Sequence, residues 1–185
     1  MALGLIEEFH KEAAREGLDY LIIGGYAASY WGTPRFTADV DYAIRKEQFP
    51  RAKDVAAKLG YRLLFLHPKE AFAHFAPVDS NDRGMRLDLM LVDESTWSQL
   101  KSQAVDADIG GPQPYKMVGV LHLIAMKLHA AKQPDRLHRQ KDIYDIVEVM
   151  ENNNLSYDDL DKAGILTKHG TEETLAQLRS LLRSR

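Results

Sequence analysis

Asp39 and Asp41 stand two residues apart in the apolar run Thr37 to Ile44. If that run is a β-strand, residues i and i+2 share a face, so both carboxylates converge on one point while Val40 and Tyr42 turn the other way. A third acid, Asp88, interrupts the apolar run MRLDLMLV. A charge in such a strand is costly unless it has a partner, a metal ion or an exposed face. Three carboxylates brought together suit magnesium, which takes a few carboxylates and fills its other positions with water and phosphate oxygens. Upstream, the pair Gly24-Gly25 separates the apolar run Tyr20 to Ile23 from a helix-compatible segment. With no side chain in the way, the backbone N–H groups of such a turn can approach a phosphate closely. Phosphate and metal would then share one cleft, where two metals can activate an attacking hydroxyl and stabilise a leaving pyrophosphate. Each piece also has a plainer reading: a simple turn, a solvated edge-strand face, and an acid exposed on one side of a sheet.

The elements around these residues must supply that sheet. Leu3, Ile6, Phe9, Ala13 and Ala14 recur at helical spacing over residues 3–16, and Gly17 is a natural stop. The spacing predicts a second helix over Lys46 to Leu59, with Pro50 in its first turn and Gly60 at its end, then a short strand over Tyr61 to Leu66. Ala71 to Val78 and Met85 to Val92 flank the turn-rich Asp79 to Gly84, so they read as a hairpin whose return strand carries Asp88. Beyond it the pattern turns helical. Helices are expected over Glu94 to Gln103, Met117 to Lys132, Leu137 to Met150, Tyr157 to Ala163 and Glu172 to Leu182, with a Gly-Gly-Pro loop near residue 110. This divides the chain into a core over 1–104 and a helical carboxy-terminal segment over 105–185.

Composition narrows the function classes. With 185 residues, 45% of them hydrophobic, the chain can bury one substantial core. The net charge of -3 gives no global attraction to nucleic acid or anionic membrane, so any nucleic-acid contact must be local. The absence of cysteine rules out disulfides and thiolate metal sites, leaving carboxylate and imidazole chemistry. The amino terminus lacks a signal-peptide apolar core and no run reaches membrane-spanning length, so a cytoplasmic protein is the expectation. Residues 127–141 gather Lys127, Lys132, Arg136, Arg139 and Lys141 with His129 and His138 against the single acid Asp135, which reads either as an anion-binding patch or as an ordinary soluble surface.

The order of these features, Gly-Gly, thirteen residues, Asp-Val-Asp, then a distant strand acid, resembles the nucleotidyltransferase superfamily. Arg35-Phe-Thr37-Ala-Asp39-Val-Asp41 is similar to the R-x-T-x-D-x-D form of its AbiEii-like branch, which includes toxins of type IV toxin–antitoxin systems. Lys127 in IAMKLHAA, and Lys141-Asp142 with Asp145, resemble that branch's helical motifs. The resemblance spans residues 20 to 145 and implies an α+β fold, a small mixed sheet flanked by helices and followed by a helical segment. It further implies that Asp39, Asp41 and Asp88 hold one or two Mg2+ ions, and that Asp88 completes the metal site or acts as base. Gly24, Gly25, Arg35, Thr37 and Lys127 would meet the nucleotide, and Asp142 would be a further catalytic-site acid. Gly25 stands where many such transferases have a serine, which puts the phosphate grip on backbone groups.

Three function classes follow. One is an enzyme moving a nucleoside monophosphate from a nucleoside triphosphate to an RNA, protein or small-molecule acceptor, as a toxin–antitoxin component or alone. A second is a non-catalytic module binding a nucleotide or an antitoxin partner. The third is a metal-dependent phosphohydrolase using the same acids. Three converging carboxylates favour catalysis over simple binding, and a glycine turn ahead of the acids suits a triphosphate better than attack by water.

Overall fold

The structure, a computed structural model, describes residues 2–79, 85–134 and 137–183. The Asp79 to Gly84 turn, beyond its first residue, and Asp135 and Arg136 of the basic stretch lie outside the described residues. Two compact units emerge: residues 1–27 with 36–118, and residues 28–35 with 119–185.

The first unit is a sheet of seven strands in the order β3-β4-β5-β2-β1-β7-β6. Its strands are β1 (Leu21–Ile22), β2 (Asp39–Arg45), β3 (Tyr61–Leu66), β4 (Phe72–Pro77), β5 (Arg86–Val92), β6 (Val105–Ala107) and β7 (Tyr115–Met117). β2 runs parallel to β5, and β1 parallel to β7, while the other neighbours are antiparallel, so the sheet is mixed as expected. One face is apolar. Val40, Tyr42 and Ile44 of β2, Ala73 and Phe75 of β4, and Leu87 and Leu89 of β5 are all buried, the alternation that a half-covered strand requires. Helix α1 (Ala2–Glu16) buries Leu5, Ile6, Phe9 and Ala13. The Phe9 ring lies flat on Tyr42, centroids 4.0 Å apart, and meets Tyr20 edge-on. Helix α3 (Phe49–Lys58) follows a single 3-10 turn at Lys46–Gln48, begins with Pro50 in its first turn, and buries Ala52, Val55 and Ala56. Helix α4 (Glu94–Ser102) is capped by Asp93, which accepts a 2.7 Å hydrogen bond from the Thr96 N–H.

The helix expected from Met117 starts later. Met117 belongs to β7, where it pairs with Ile22, and the Val118 N–H donates to the Ile22 carbonyl at 3.0 Å. Tyr115 and Met117 gain full burial in the sheet, and Gly119 then caps α5 (Val120–Ala131). Tertiary pairing overrides the helical periodicity there.

The second unit is helical. The last half of α2 (Gly24–Trp31) belongs to it, with α5, α6 (Arg139–Asn152), α7 (Tyr157–Lys162), α8 (Ile165–His169) and α9 (Glu172–Arg183). α8 was not expected from the sequence. It is a five-residue turn entered through Gly164 at φ +69°, and it buries Ile165 and Leu166. Helix α7 carries a full capping box between Ser156 and Asp159. Among the described residues no helix is long and apolar enough to cross a membrane.

Candidate functional site

The sheet's other face carries the acids. β2 presents Asp39 and Asp41, and the parallel register sets Asp41 beside Asp88 of β5. One carboxylate oxygen from each of the three lies within 4.8 Å of the other two, and all three side chains are half-buried. Three such groups repel one another unless a cation or proton intervenes. Burial pushes the Asp88 carboxyl above the usual carboxylate range, with Asp39 adding to the push. His74 pulls it down in part, with Nδ1 at 2.7 Å from the Asp88 carboxylate. The donor set therefore fits a hard divalent cation: carboxylate oxygens only, partly desolvated, with an open side for further oxygen ligands.

The glycine turn is built against this centre. The Ile23 N–H donates to the Asp41 carbonyl at 3.0 Å, which ties the end of β1 to β2. Gly24 then takes φ +62°, and a Cβ there would fall 2.0 Å from an Asp41 carboxylate oxygen. Only glycine lets the chain turn so close to the acid. The Gly25 N–H donates to that carboxylate at 3.3 Å, and the helix α2 starts here. A Cβ on Gly25 would sit 2.5 Å from Thr37 Oγ1, which itself donates to the Asp39 carboxylate at 2.6 Å. The space a serine would need is thus filled by Thr37, which is buried at 8% exposure. Gly24, Gly25, Thr37, Asp39, Asp41 and Asp88 are brought together in one unit.

The remaining sequence-derived residues gather in the second unit. Lys127 is not a solvated helix lysine. It is 9% exposed, and its ammonium donates to Asp142 at 3.1 Å and to Asp145 at 2.6 Å. Arg35 closes the cluster with a bidentate pair to Asp145, at 2.9 and 2.8 Å. Burial pushes the Asp145 carboxyl up, but Lys127 and Arg35 outweigh it and hold it below the usual range. Asp142 is 1% exposed, so neither acid lies on the surface face the bare sequence allows. An open groove of about 500 Å³ beside the cluster is lined by Arg35, Gln140, Lys141, Tyr144, Asp145 and Glu148, among others. The basic stretch loses Lys127 to this interior, and Arg139 is engaged by Glu173 at 2.7 Å.

His74 was missed in the sequence. The expected runs, Ala71 to Val78 and Met85 to Val92, would pair symmetrically with position 75 opposite position 88; the structure is shifted by one residue and makes His74 the register partner of Asp88.

No family model matches the chain, and no curated protein sequence matches it. Solved structures do. The crystal structure of ANT(2″)-Ia in complex with adenylyl-2″-tobramycin superposes with a TM-score of 0.68 at 17% identity, over 91% of this chain and 99% of that one. A nucleotidyltransferase-like protein from Paracoccidioides brasiliensis gives 0.51 at 17% identity, over 91% and 87%. The Megavirus polyadenylate synthase gives 0.55 at 12% identity, over 84% of this chain and 32% of the synthase. The fold is therefore the nucleotidyltransferase fold.

Proposed function

We propose that the chain is a magnesium-dependent nucleotidyltransferase. One observation carries the reading: Asp39, Asp41 and Asp88 converge beside a glycine turn whose two Cβ-less positions lie against Asp41 and Thr37. Asp39 and Asp41 would hold the metal, with Asp88 as third ligand or as base. A bound divalent ion would supply charge to offset a triphosphate and polarise the reacting oxygens. Gly24 and Gly25 present backbone rather than side chain to the phosphates, at the start of α2. Asp88 takes the proton of an acceptor hydroxyl. The hydroxyl oxygen bonds the α-phosphorus, the bond from that phosphorus to the bridging oxygen breaks, and pyrophosphate leaves. His74 holds the Asp88 carboxylate in place. Thr37 fixes Asp39.

The AbiEii-like resemblance is supported by a separate observation, and a toxin–antitoxin role is part of the proposal through that resemblance alone. Arg35, Lys127, Asp142 and Asp145 come from three separate motifs of that resemblance and meet in one buried ion-pair cluster. Contact of Lys127 or Arg35 with a nucleotide stays within the proposal.

The test is thermal stability with Mg2+ and each of the four nucleoside triphosphates. Binding to the folded state raises the melting temperature by mass action, and Asp41→Asn is expected to abolish that rise while the metal-free protein stays folded. Equal shifts in parent and variant would remove the metal role.

A further inference from the structure

Asp41, Asp88, His74 and Phe65 form one row across four strands. Asp41 is the register partner of Asp88, Asp88 of His74, and His74 of Phe65. Register partners share a sheet face, so the row runs from the carboxylates to the edge strand β3. Phe65 reaches that face through an irregularity. Leu63 opposes Phe75, whose ring is buried on the apolar face at 2% exposure, so in regular alternation Leu64 would oppose His74. The bulge between Leu63 and Phe65 inserts one residue and turns the phenyl ring toward the acids instead. Phe72, two residues before His74 on β4, joins it.

The rings are contiguous. Phe65 and His74 lie nearly parallel with centroids 5.9 Å apart, and Phe65 and Phe72 are separated by 5.8 Å. His67 stacks on Phe72 at 4.7 Å. Phe65 is 44% exposed on the edge strand β3, where folds ordinarily avoid open apolar area, and Phe72 is 37% exposed on the neighbouring β4. Arg62, opposite Ala76 on the same face, and Arg86, two residues before Asp88, are both exposed. Glu70 of the intervening turn is ion-paired with Lys46 at 2.8 Å. Flat rings edged by arginines and continuous with a catalytic carboxylate suit a nucleobase, whose π-face stacks regardless of base identity. A polycationic acceptor would meet like charge at Arg62 and Arg86 instead.

We propose that this platform is the acceptor subsite, and that it stacks a nucleobase, of a free nucleotide or of a single-stranded RNA end. Two strand spacings, about 10 Å, separate Asp88 from Phe65, a span that base and sugar together bridge. For its chemistry the inference rests on the transferase reading; the binding claim stands apart from it.

The experiment titrates the full chain into fluorescein-labelled eight-nucleotide RNAs (oligo-A, oligo-C, oligo-U), with AMP as competitor. Phe65→Ala and Phe72→Ala are each expected to weaken oligo-A binding about tenfold, the scale of one lost base stack. Phe65→Leu should lose as much, since it keeps apolarity without a ring, while Phe65→Trp should retain affinity. Melting temperatures certify folding. AMP competing on a par with oligo-A would support a free nucleotide, and competition by RNA alone would support a strand end. Unchanged RNA affinity in folded Phe65→Ala and Phe72→Ala, with or without a change in oligomeric state, overturns the inference. Loss of the Mg2+–triphosphate thermal shift in these variants would assign the rings to the donor base and overturn it too. RNA binding that needs the rings, with no nucleotide transfer to any acceptor, would sink the transferase reading and leave the subsite standing.

Discussion

Replacing Lys127 with alanine should destabilise the protein far more than a helix lysine ordinarily would. The Lys127, Asp142 and Asp145 side chains are 11%, 2% and 9% exposed, and the ammonium bridges the two acids. Removing one partner of a buried ion pair costs about 3–5 kcal/mol, because the carboxylates are left without compensation in a poorly solvated place. Arg35 still forks onto Asp145, so the expected loss lies near the lower end, about 3 kcal/mol. The control is Lys116→Ala, whose pair with Asp106 is about 60% exposed on both sides and should contribute below about 0.5 kcal/mol. Urea unfolding followed by circular dichroism at pH 7.5 reads both. The double variant Lys127→Met, Asp142→Asn should recover part of the loss, since it removes one buried charge pair together and leaves Asp145 with Arg35. The pH dependence has a definite sign. Asp145 is held below its unfolded value, so in the parent its contribution is present above about pH 3.9 and is lost as pH falls through the folded value. In Lys127→Ala Asp145 loses the ammonium that helps hold it down while its burial still pushes it up, so the gap between variant and parent should narrow from pH 7.5 to pH 5. A loss under about 1 kcal/mol, or a gap that does not change with pH, would refute the reasoning.

Gly24→Ala should lower stability by about 1–2 kcal/mol through the left-handed backbone alone and should also displace the Asp41 carboxylate, so the Mg2+–triphosphate thermal shift should vanish with it. Asp88→Asn should remove transfer while sparing most nucleotide affinity. Because burial raises the Asp88 carboxyl in the folded state, its ionisation costs stability once pH exceeds the unfolded value, and in EDTA at pH 7 the asparagine variant should melt at or above the parent. A marked drop would assign Asp88 a structural role. Gly25→Ser should push Thr37 off its bond to Asp39 and weaken rather than strengthen the nucleotide response, read by the same thermal shift.

How legible these features were depended on how local they are. The Asp-x-Asp spacing fixes a shared face by strand geometry alone, whereas Asp88 comes beside it through the long-range parallel pairing of β5 with β2, which the resemblance rather than local pattern led one to expect. Tertiary features could not be read this way. Lys127 falls at the edge of an apolar stripe, and its partners lie 15 and 18 residues away on another helix, beyond any local periodicity. The three-residue β7 is too short to show alternation, and its burial comes from β1, almost a hundred residues earlier. Nothing in the run YRLLFL marks where the bulge falls, so the orientation of Phe65 was hidden. The close approach of Thr37 to Gly25 depends on how the chain returns from the intervening turn, which composition does not specify.

The central claim is tested most directly by following two differently labelled nucleoside triphosphates, one carrying its label at the α-phosphate and one at the γ-phosphate, with Mg2+, total RNA and the protein itself as acceptors. The account predicts that α-label becomes covalently attached to an acceptor, that γ-label leaves as pyrophosphate, and that Asp41→Asn abolishes both. Release of γ-label as inorganic phosphate with no α-label transferred would make the chain a phosphohydrolase, and would contradict the assignment of Asp39, Asp41 and Asp88 to nucleotidyl transfer.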